Sequence, residues 1–136
     1  MSVKASYSTP MIHVVDIERS IGFYELLGFT TIDTDRCAPI GWARLHCEGG
    51  ALMFLRAEHR VDPSAQGLIL YMYTPDLIGL REHLLANGIE APPIHRPEYM
   101  PSGEIRMTDP DGYSIAIGQW GKTEQEAWEK RIGRKT

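Results

Sequence analysis

DIERSIGFYELLGF (Asp16–Phe29) and DLIGLREHLLANGI (Asp76–Ile89) are two copies of one pattern, and the second copy follows the first by 60 residues. Each begins with an aspartate, the residue type that caps helix N-termini, and continues with apolar residues at helical spacing. In each copy a glycine follows the aspartate by 12 positions, where it can end the helix in a left-handed conformation. The pattern therefore predicts a structural unit that occurs twice.

Strand patterns surround both predicted helices. In the first copy, apolar and polar residues alternate over 42–47, and the Glu48–Gly50 turn leads into an apolar run over 51–57. In the second copy, 67–74, 104–108 and 113–118 are typical of strands, and the proline-rich stretch 91–103 is typical of a loop.

We therefore predict an α+β fold of two β-α-β-β-β modules, module 1 over about residues 9–57 and module 2 over about 68–118. The tail, 119–136, is predicted to contain a short helix over 123–131 that starts with Thr123 as its cap.

Composition restricts the class of protein. At 136 residues and 43% apolar content, the chain is the size of one globular domain. A net charge of −4, without a basic and aromatic cluster, argues against nucleic acid as a partner. No apolar run is long enough to span a membrane, and no secretory signal is present. Two widely spaced cysteines fit a reduced cytoplasmic protein without a disulfide framework.

Three segments resemble the vicinal oxygen chelate superfamily, which includes glyoxalase I, the bleomycin resistance proteins and the extradiol dioxygenases. They are His13–Asp16, Gly22–Phe29 and Asp109–Tyr113, and Leu52–Val61 is most similar to the bleomycin-resistance branch. The resemblance implies two paired modules that form a curved mixed sheet around a cavity, and it also implies a homodimer.

The resemblance also allows the metal site to be tested. In metal-dependent members, a ligand lies on the first strand of each module and a glutamate lies on its last strand. The matching positions in this sequence are Thr9 and Ile69, then Phe54 and Ala116. These residue types do not supply the imidazole and carboxylate ligands that hold a catalytic cation. We therefore expect no resident metal and no other cofactor.

Alternation along the strands predicts which side chains face the cavity. The predicted ligand-binding residues are His13, Trp42, Arg44, His46, Phe54, Arg56, Tyr71, Tyr73, Glu104 and Arg106. This set is aromatic and net basic, which favours a small anionic or electron-rich aromatic molecule over a cationic one such as bleomycin. Some of the aromatic residues also fit a dimer interface.

The sequence leaves three functions open. The first is a metal-free protein that binds and sequesters a small organic molecule, such as a toxin or natural product. The second is a lyase, isomerase or dioxygenase-like enzyme that uses either a nonstandard metal site of His13, His46 and Glu104 or His13 as a general base. The third is a dimeric scaffold with a vestigial cavity.

Overall fold

The computed structural model describes residues 3–65 and 67–133. The chain divides between Asp62 and Pro63 into two compact units. Each unit contains a small mixed β-sheet, and a helix follows the first strand of that sheet in the chain. None of the helices in these two ranges is long and apolar enough to cross a membrane.

The first unit has the predicted β-α-β-β-β order. Its elements are β1 (Met11–Val14), α1 (Ile17–Leu26), β2 (Thr30–Thr34), β3 (Trp42–Cys47) and β4 (Gly50–Arg56). The strand order in the sheet is β1-β4-β3-β2, with β1 parallel to β4 and the other pairs antiparallel.

The second unit repeats this order with one strand fewer. Its elements are β5 (Ile69–Thr74), α2 (Leu77–Ala86), β6 (Glu104–Thr108), β7 (Ser114–Gln119) and α3 (Lys122–Ile132), preceded by a 3-10 turn at Pro63–Ala65. The sheet order is β5-β7-β6, again with the first strand parallel to the last. Where the second strand would lie, the described chain makes only a bridge between His95 and Glu104, because four prolines interrupt residues 91–103.

The helix ends match the sequence prediction. The carboxylate of Asp16 accepts a hydrogen bond from the Arg19 N–H at 3.1 Å, and that of Asp76 accepts one from the Gly79 N–H at 2.9 Å. Gly28 and Gly88 follow the helices with φ of 102° and 79°. The α+β class is therefore confirmed, and the predicted β-α-β-β-β order holds in the first unit, whereas the second unit lacks one of the predicted strands.

In each unit the helix covers one face of the sheet. In the first unit the ring of Tyr24 on α1 is fully buried and lies 5.3 Å from that of Phe54 on β4. In the second unit the buried core includes Leu77 and Leu84 of α2 with Ile105, Ile115 and Ile117 of the sheet. The opposite face of each sheet carries the alternate residues, and these include most of the predicted site residues.

Candidate functional site

A cavity of about 590 Å³ lies on the face of the second sheet that α2 does not cover. Its walls come from strand β5, the loop before β6, the residue after β7 and helix α3. The lining residues are Tyr71, Tyr73, Tyr99, Met100, Trp120, Trp128 and Arg131. Five of the seven are aromatic, so the cavity offers ring faces and edges for stacking.

The rings of this aromatic cavity contact one another. The ring centroids of Tyr71 and Tyr73 are 5.2 Å apart, and those of Tyr73 and Trp120 are 6.3 Å apart in an edge arrangement. Tyr73 and Tyr99 are each 62% exposed, which is high for aromatic residues in a structured site. Their apolar surface is thus available to a bound molecule.

A buried carboxylate accepts hydrogen bonds from two residues of the cavity lining, Tyr71 and Tyr99. Glu104 is fully buried, and its carboxylate accepts hydrogen bonds from the Tyr71 hydroxyl and, at 2.8 Å, from the Tyr99 hydroxyl. The Arg106 Nε donates to it at 3.1 Å, and His95 Nε2 lies 3.2 Å away. Arg106 also donates to the Tyr99 hydroxyl at 3.2 Å. The loop and strand β5 are therefore joined through one carboxylate.

The network keeps this carboxylate ionised. Burial by itself would raise the pKa of Glu104, but the hydrogen bonds from Tyr71, Tyr99 and Arg106 outweigh it and lower the pKa. Burial and the bond to Glu104 raise the pKa of Tyr71, so its hydroxyl stays protonated and continues to donate. Tyr71 donates to one oxygen of this carboxylate, and Tyr99 and Arg106 donate to the other, so both oxygens are held by side chains of the second unit.

A second carboxylate fixes helix α3 beside the cavity. Glu124 accepts hydrogen bonds from the Gly121 N–H at 2.7 Å and from the Ser102 hydroxyl at 3.0 Å. The backbone bond from Gly121 is the main cause of the lowered pKa of Glu124. Gly121 is the N-cap of this helix, so the predicted start at Thr123 is wrong: Glu124 reaches back to the backbone instead. This contact holds Trp128 and Arg131 against the cavity.

The first unit has its own polar cluster on the sheet face opposite α1. Trp42, Arg44 and His46 alternate along β3 with the buried Ala43 and Leu45, as predicted. The guanidinium of Arg44 donates from Nε to His46 Nε2 at 2.9 Å and from Nη2 to the Thr9 hydroxyl at 3.2 Å. Its Nη1 lies 3.6 Å from the sulfur of Met53.

Phe54 does not lie on that face, and its predicted orientation is wrong. It pairs with Ala43 and contacts Tyr24 of α1, so it belongs to the core. The cause is the tight turn at 48–49, which pairs Cys47 with Gly50 and places Met53, not Phe54, beside Arg44. The predicted turn, Glu48–Gly50, has three residues. With only two residues in the turn, every side chain of the returning strand moves to the opposite face of the sheet.

The predicted site residues therefore divide between the units. His13 is exposed on the open face of the first sheet. Arg56 has the same alternation as Phe54 and pairs with the core residue Val14, so its predicted place on the cavity face is wrong too. It is exposed at the end of β4 and borders a shallow hollow with Gly41, Ala57 and Glu58. In the second unit Tyr71, Tyr73, Glu104 and Arg106 share one face, as predicted.

The sequence prediction missed the cavity residues Tyr99, Met100, Trp120, Trp128 and Arg131. They lie in a loop and a tail without strand periodicity, and the signal for Tyr99, Trp120 and Trp128 was their aromatic type alone.

The residues at the superfamily's metal positions do not fit a metal. Thr9 accepts a hydrogen bond from the cationic Arg44, and Ala116 is fully buried without a ligand atom. Phe54, the position predicted to match Ala116, lies in the core, and Met53 takes that place on the open face. Ile69, the remaining position, is a half-exposed aliphatic residue. Among residues 3–65 and 67–133, no three His, Cys, Asp or Glu side chains form a group that could hold a metal ion.

Comparison with known families gives a clear assignment. Residues 7–117 match the model of the Glyoxalase/Bleomycin resistance protein/Dioxygenase superfamily. The match covers most of the chain, so the protein belongs to this superfamily. A comparison with curated protein sequences gives no significant match.

Solved structures share the fold. A bleomycin-binding protein in complex with bleomycin is 22% identical, with 86% of this chain and 100% of that chain covered and a TM-score of 0.67. A bleomycin resistance determinant encoded on transposon Tn5 is 22% identical over 85% and 98%, with a TM-score of 0.68. The fosfomycin resistance protein FosX from Listeria monocytogenes is 12% identical over 90% and 98%, with a TM-score of 0.66.

Proposed function

We propose that this protein is a small-molecule-binding member of the superfamily and that it holds a flat aromatic ligand in the aromatic cavity of its second unit. The observation that carries the proposal is the fixed position of the cavity walls. Glu104 holds Tyr71 and Tyr99, and Glu124 holds helix α3 with Trp128. Because these side chains are already held in place, less conformational entropy is lost when a ligand binds.

The charges near this cavity favour a neutral or anionic ligand. Arg106 lies against the ionised Glu104, so these two charges largely compensate each other. Arg131 is then the charged residue that itself lines the cavity. A cationic aromatic compound is therefore expected to bind less well than an anionic or electron-rich one of the same shape.

We propose that the protein sequesters its ligand without a resident metal. The superfamily's metal positions carry no imidazole or carboxylate in this sequence, and the carboxylate of Glu104 is held by Tyr99 and Arg106. The shared fold of a bleomycin-binding protein and of a bleomycin resistance determinant supports small-molecule binding as the function. We propose a toxin or natural product as the ligand class.

We further propose a cytoplasmic homodimer. Strands β1 and β5 lie at the edges of their sheets and carry exposed apolar side chains, among them Met11, Ile69 and Tyr73. Exposed edge strands with apolar residues are suited to contact with a second chain. Cys37 and Cys47 are both unpaired, which fits a reducing compartment.

Calorimetry with three matched naphthalenes tests the binding proposal: naphthalene-2-carboxylate, 2-naphthalenemethanol and 2-naphthylmethylammonium. We expect the carboxylate and the alcohol to bind more tightly than the ammonium compound. Tyr99→Ala and Trp128→Ala should each weaken binding several-fold, since an aromatic pair contributes about 0.5–1.5 kcal/mol beyond area burial. Tyr7→Ala removes an aromatic residue that is 84% exposed in the first unit, and it serves as the control. Tightest binding by the ammonium compound, or unchanged affinity in both cavity variants, would refute the proposal.

A further inference from the structure

Arg44 and Arg106 occupy equivalent positions in the two units. Arg44 on β3 lies opposite Met53 on β4, and Met53 pairs on its other side with β1. Arg106 on β6 lies opposite Ala116 on β7, and Ala116 pairs on its other side with β5. Each arginine therefore lies on the strand next to the one that pairs with the unit's first strand, and it projects onto the face that the unit's own helix, α1 or α2, leaves uncovered.

The two arginines differ in their counter-ion. Two residues before Arg106 the chain carries Glu104, whose carboxylate forms an ion pair with it at 3.1 Å. Two residues before Arg44, at the equivalent position on the same face, the chain carries Trp42. The second unit thus contains its own carboxylate for the arginine, and the first unit has an indole in that place.

Arg44 has only neutral partners in the described part of the chain. Of the five N–H groups of a guanidinium, three reach His46, the Thr9 hydroxyl and the Met53 sulfur. The side chain is half-buried, so its charge is screened less than that of an arginine in open solvent. A partly desolvated cation that is held in position without an anion is suited to bind one.

We propose that Arg44 binds the carboxylate of a small aromatic acid whose ring stacks on Trp42. Residues two apart on a strand are about 7 Å apart, a spacing that an arylcarboxylate can bridge with its ring on one and its carboxylate on the other. The Thr9 oxygen accepts from Arg44, so its own O–H can donate to the same carboxylate. The site lies within the first unit and does not depend on the aromatic cavity of the second.

The probe is sodium benzoate, followed through the indole N–H resonances of the three tryptophans in ¹⁵N-labelled protein. We expect benzoate to shift the Trp42 resonance saturably, and the uncharged benzamide to shift it much less. Arg44→Gln should raise the benzoate dissociation constant roughly tenfold to hundredfold, as expected for a lost charge-assisted hydrogen bond. Arg60→Gln changes an exposed arginine of the first unit that lies outside the sheet, and it should leave the constant unchanged.

A second pair of variants tests the comparison between the units directly. Trp42→Glu introduces beside Arg44 the carboxylate that the second unit already has, and Trp42→Gln removes the indole without adding charge. Saturation-transfer measurements on benzoate should show a much greater loss for W42E than for W42Q. This pair decides the question even if R44Q fails to fold. Equal losses in the two variants, full affinity in R44Q, or benzoate shifts confined to Trp120 and Trp128 would overturn the proposal.

Discussion

The Tyr99 hydroxyl donates a 2.8 Å hydrogen bond to the buried carboxylate of Glu104, and this contact joins the proline-rich loop to the second sheet. In the first unit a complete strand, β2, occupies the corresponding place in the chain order. In the second unit one backbone bridge between His95 and Glu104 and the side-chain network around Glu104 hold the loop instead. The loss of a strand is what allows Tyr99 to reach the aromatic cavity.

Replacing Glu104 should destabilise the second unit. Glu104→Ala removes the common acceptor of Tyr71, Tyr99 and Arg106, and loss of a buried partner costs roughly 1–3 kcal/mol. Urea unfolding followed by tryptophan fluorescence measures the change. Glu98→Ala, an exposed glutamate of the same loop, is the control and should stay within about 0.5 kcal/mol of the parent. Equal stability of the two variants would show that the network does not support the loop.

The stability contributed by Glu104 should depend on pH in the acid range. Its folded-state pKa is lower than the ordinary value of 4.5, so its contribution is fully present above that value. The contribution is lost as pH falls from about 5 through the folded pKa, because the unfolded chain binds the proton first. Glu104→Gln removes this titration. The free energy of unfolding should therefore fall less steeply with acid in E104Q than in the parent, and parallel curves would contradict the assignment.

The repeated module was predictable because its helix ends are local signals. Asp16 and Asp76 act through hydrogen bonds to residues three positions later, and Gly28 and Gly88 act through their own backbone angles. Neither signal requires knowledge of tertiary packing. The face of β4 was not predictable in the same way, since it depends on whether the preceding turn has two residues or three. Phe54 shows the result, because one residue of turn length moves it from the cavity face to the core.

The aromatic cavity was only half predictable. Tyr71 and Tyr73 could be assigned to one face by alternation along β5. Tyr99 and Trp128 could not, because side-chain hydrogen bonds place them: Tyr99 bonds to Glu104, and helix α3 is held by Glu124. The Ser102–Glu124 hydrogen bond, which spans 22 residues, is one of these contacts. Such polar side-chain bonds leave no periodic pattern in the sequence.

Gly103, immediately before Glu104, should not tolerate a side chain. Its φ is +115°, and an added Cβ would lie 2.8 Å from a methyl carbon of Ile94. Gly103→Ala is therefore expected to cost about 1–3 kcal/mol through backbone strain and steric overlap. Gly49→Ala is the matched control, since a Cβ there meets no atom within 4 Å. Urea unfolding of both variants measures the difference, and similar stabilities would argue against strain at Gly103.

The proposed homodimer predicts a definite mass. Size-exclusion chromatography with light scattering at micromolar concentration should give about twice the chain mass of 15.3 kDa. If the edge strands form the interface, Ile69→Lys should shift the population towards the monomer, because the isoleucine is half-exposed on β5. Ile78→Lys changes a similarly exposed isoleucine on α2 and serves as the control. A parent protein that is monomeric throughout would remove the dimer from the proposal.

Gly118 lies close to two residues of the cavity lining, Tyr71 and Met100. It lies opposite Glu104 across β6 and β7, and an added Cβ would be 3.0 Å from the terminal carbon of Met100 and 3.3 Å from the Tyr71 hydroxyl. Met100 can move because it is flexible, but Tyr71 is tied to Glu104 and has less freedom. We therefore expect Gly118→Ala to weaken the binding of naphthalene-2-carboxylate several-fold, through displacement of the Tyr71 ring. Calorimetry measures the affinity, and urea unfolding separates a change in the cavity from a general loss of structure. Unchanged affinity would mean that the Tyr71 ring does not contact the ligand.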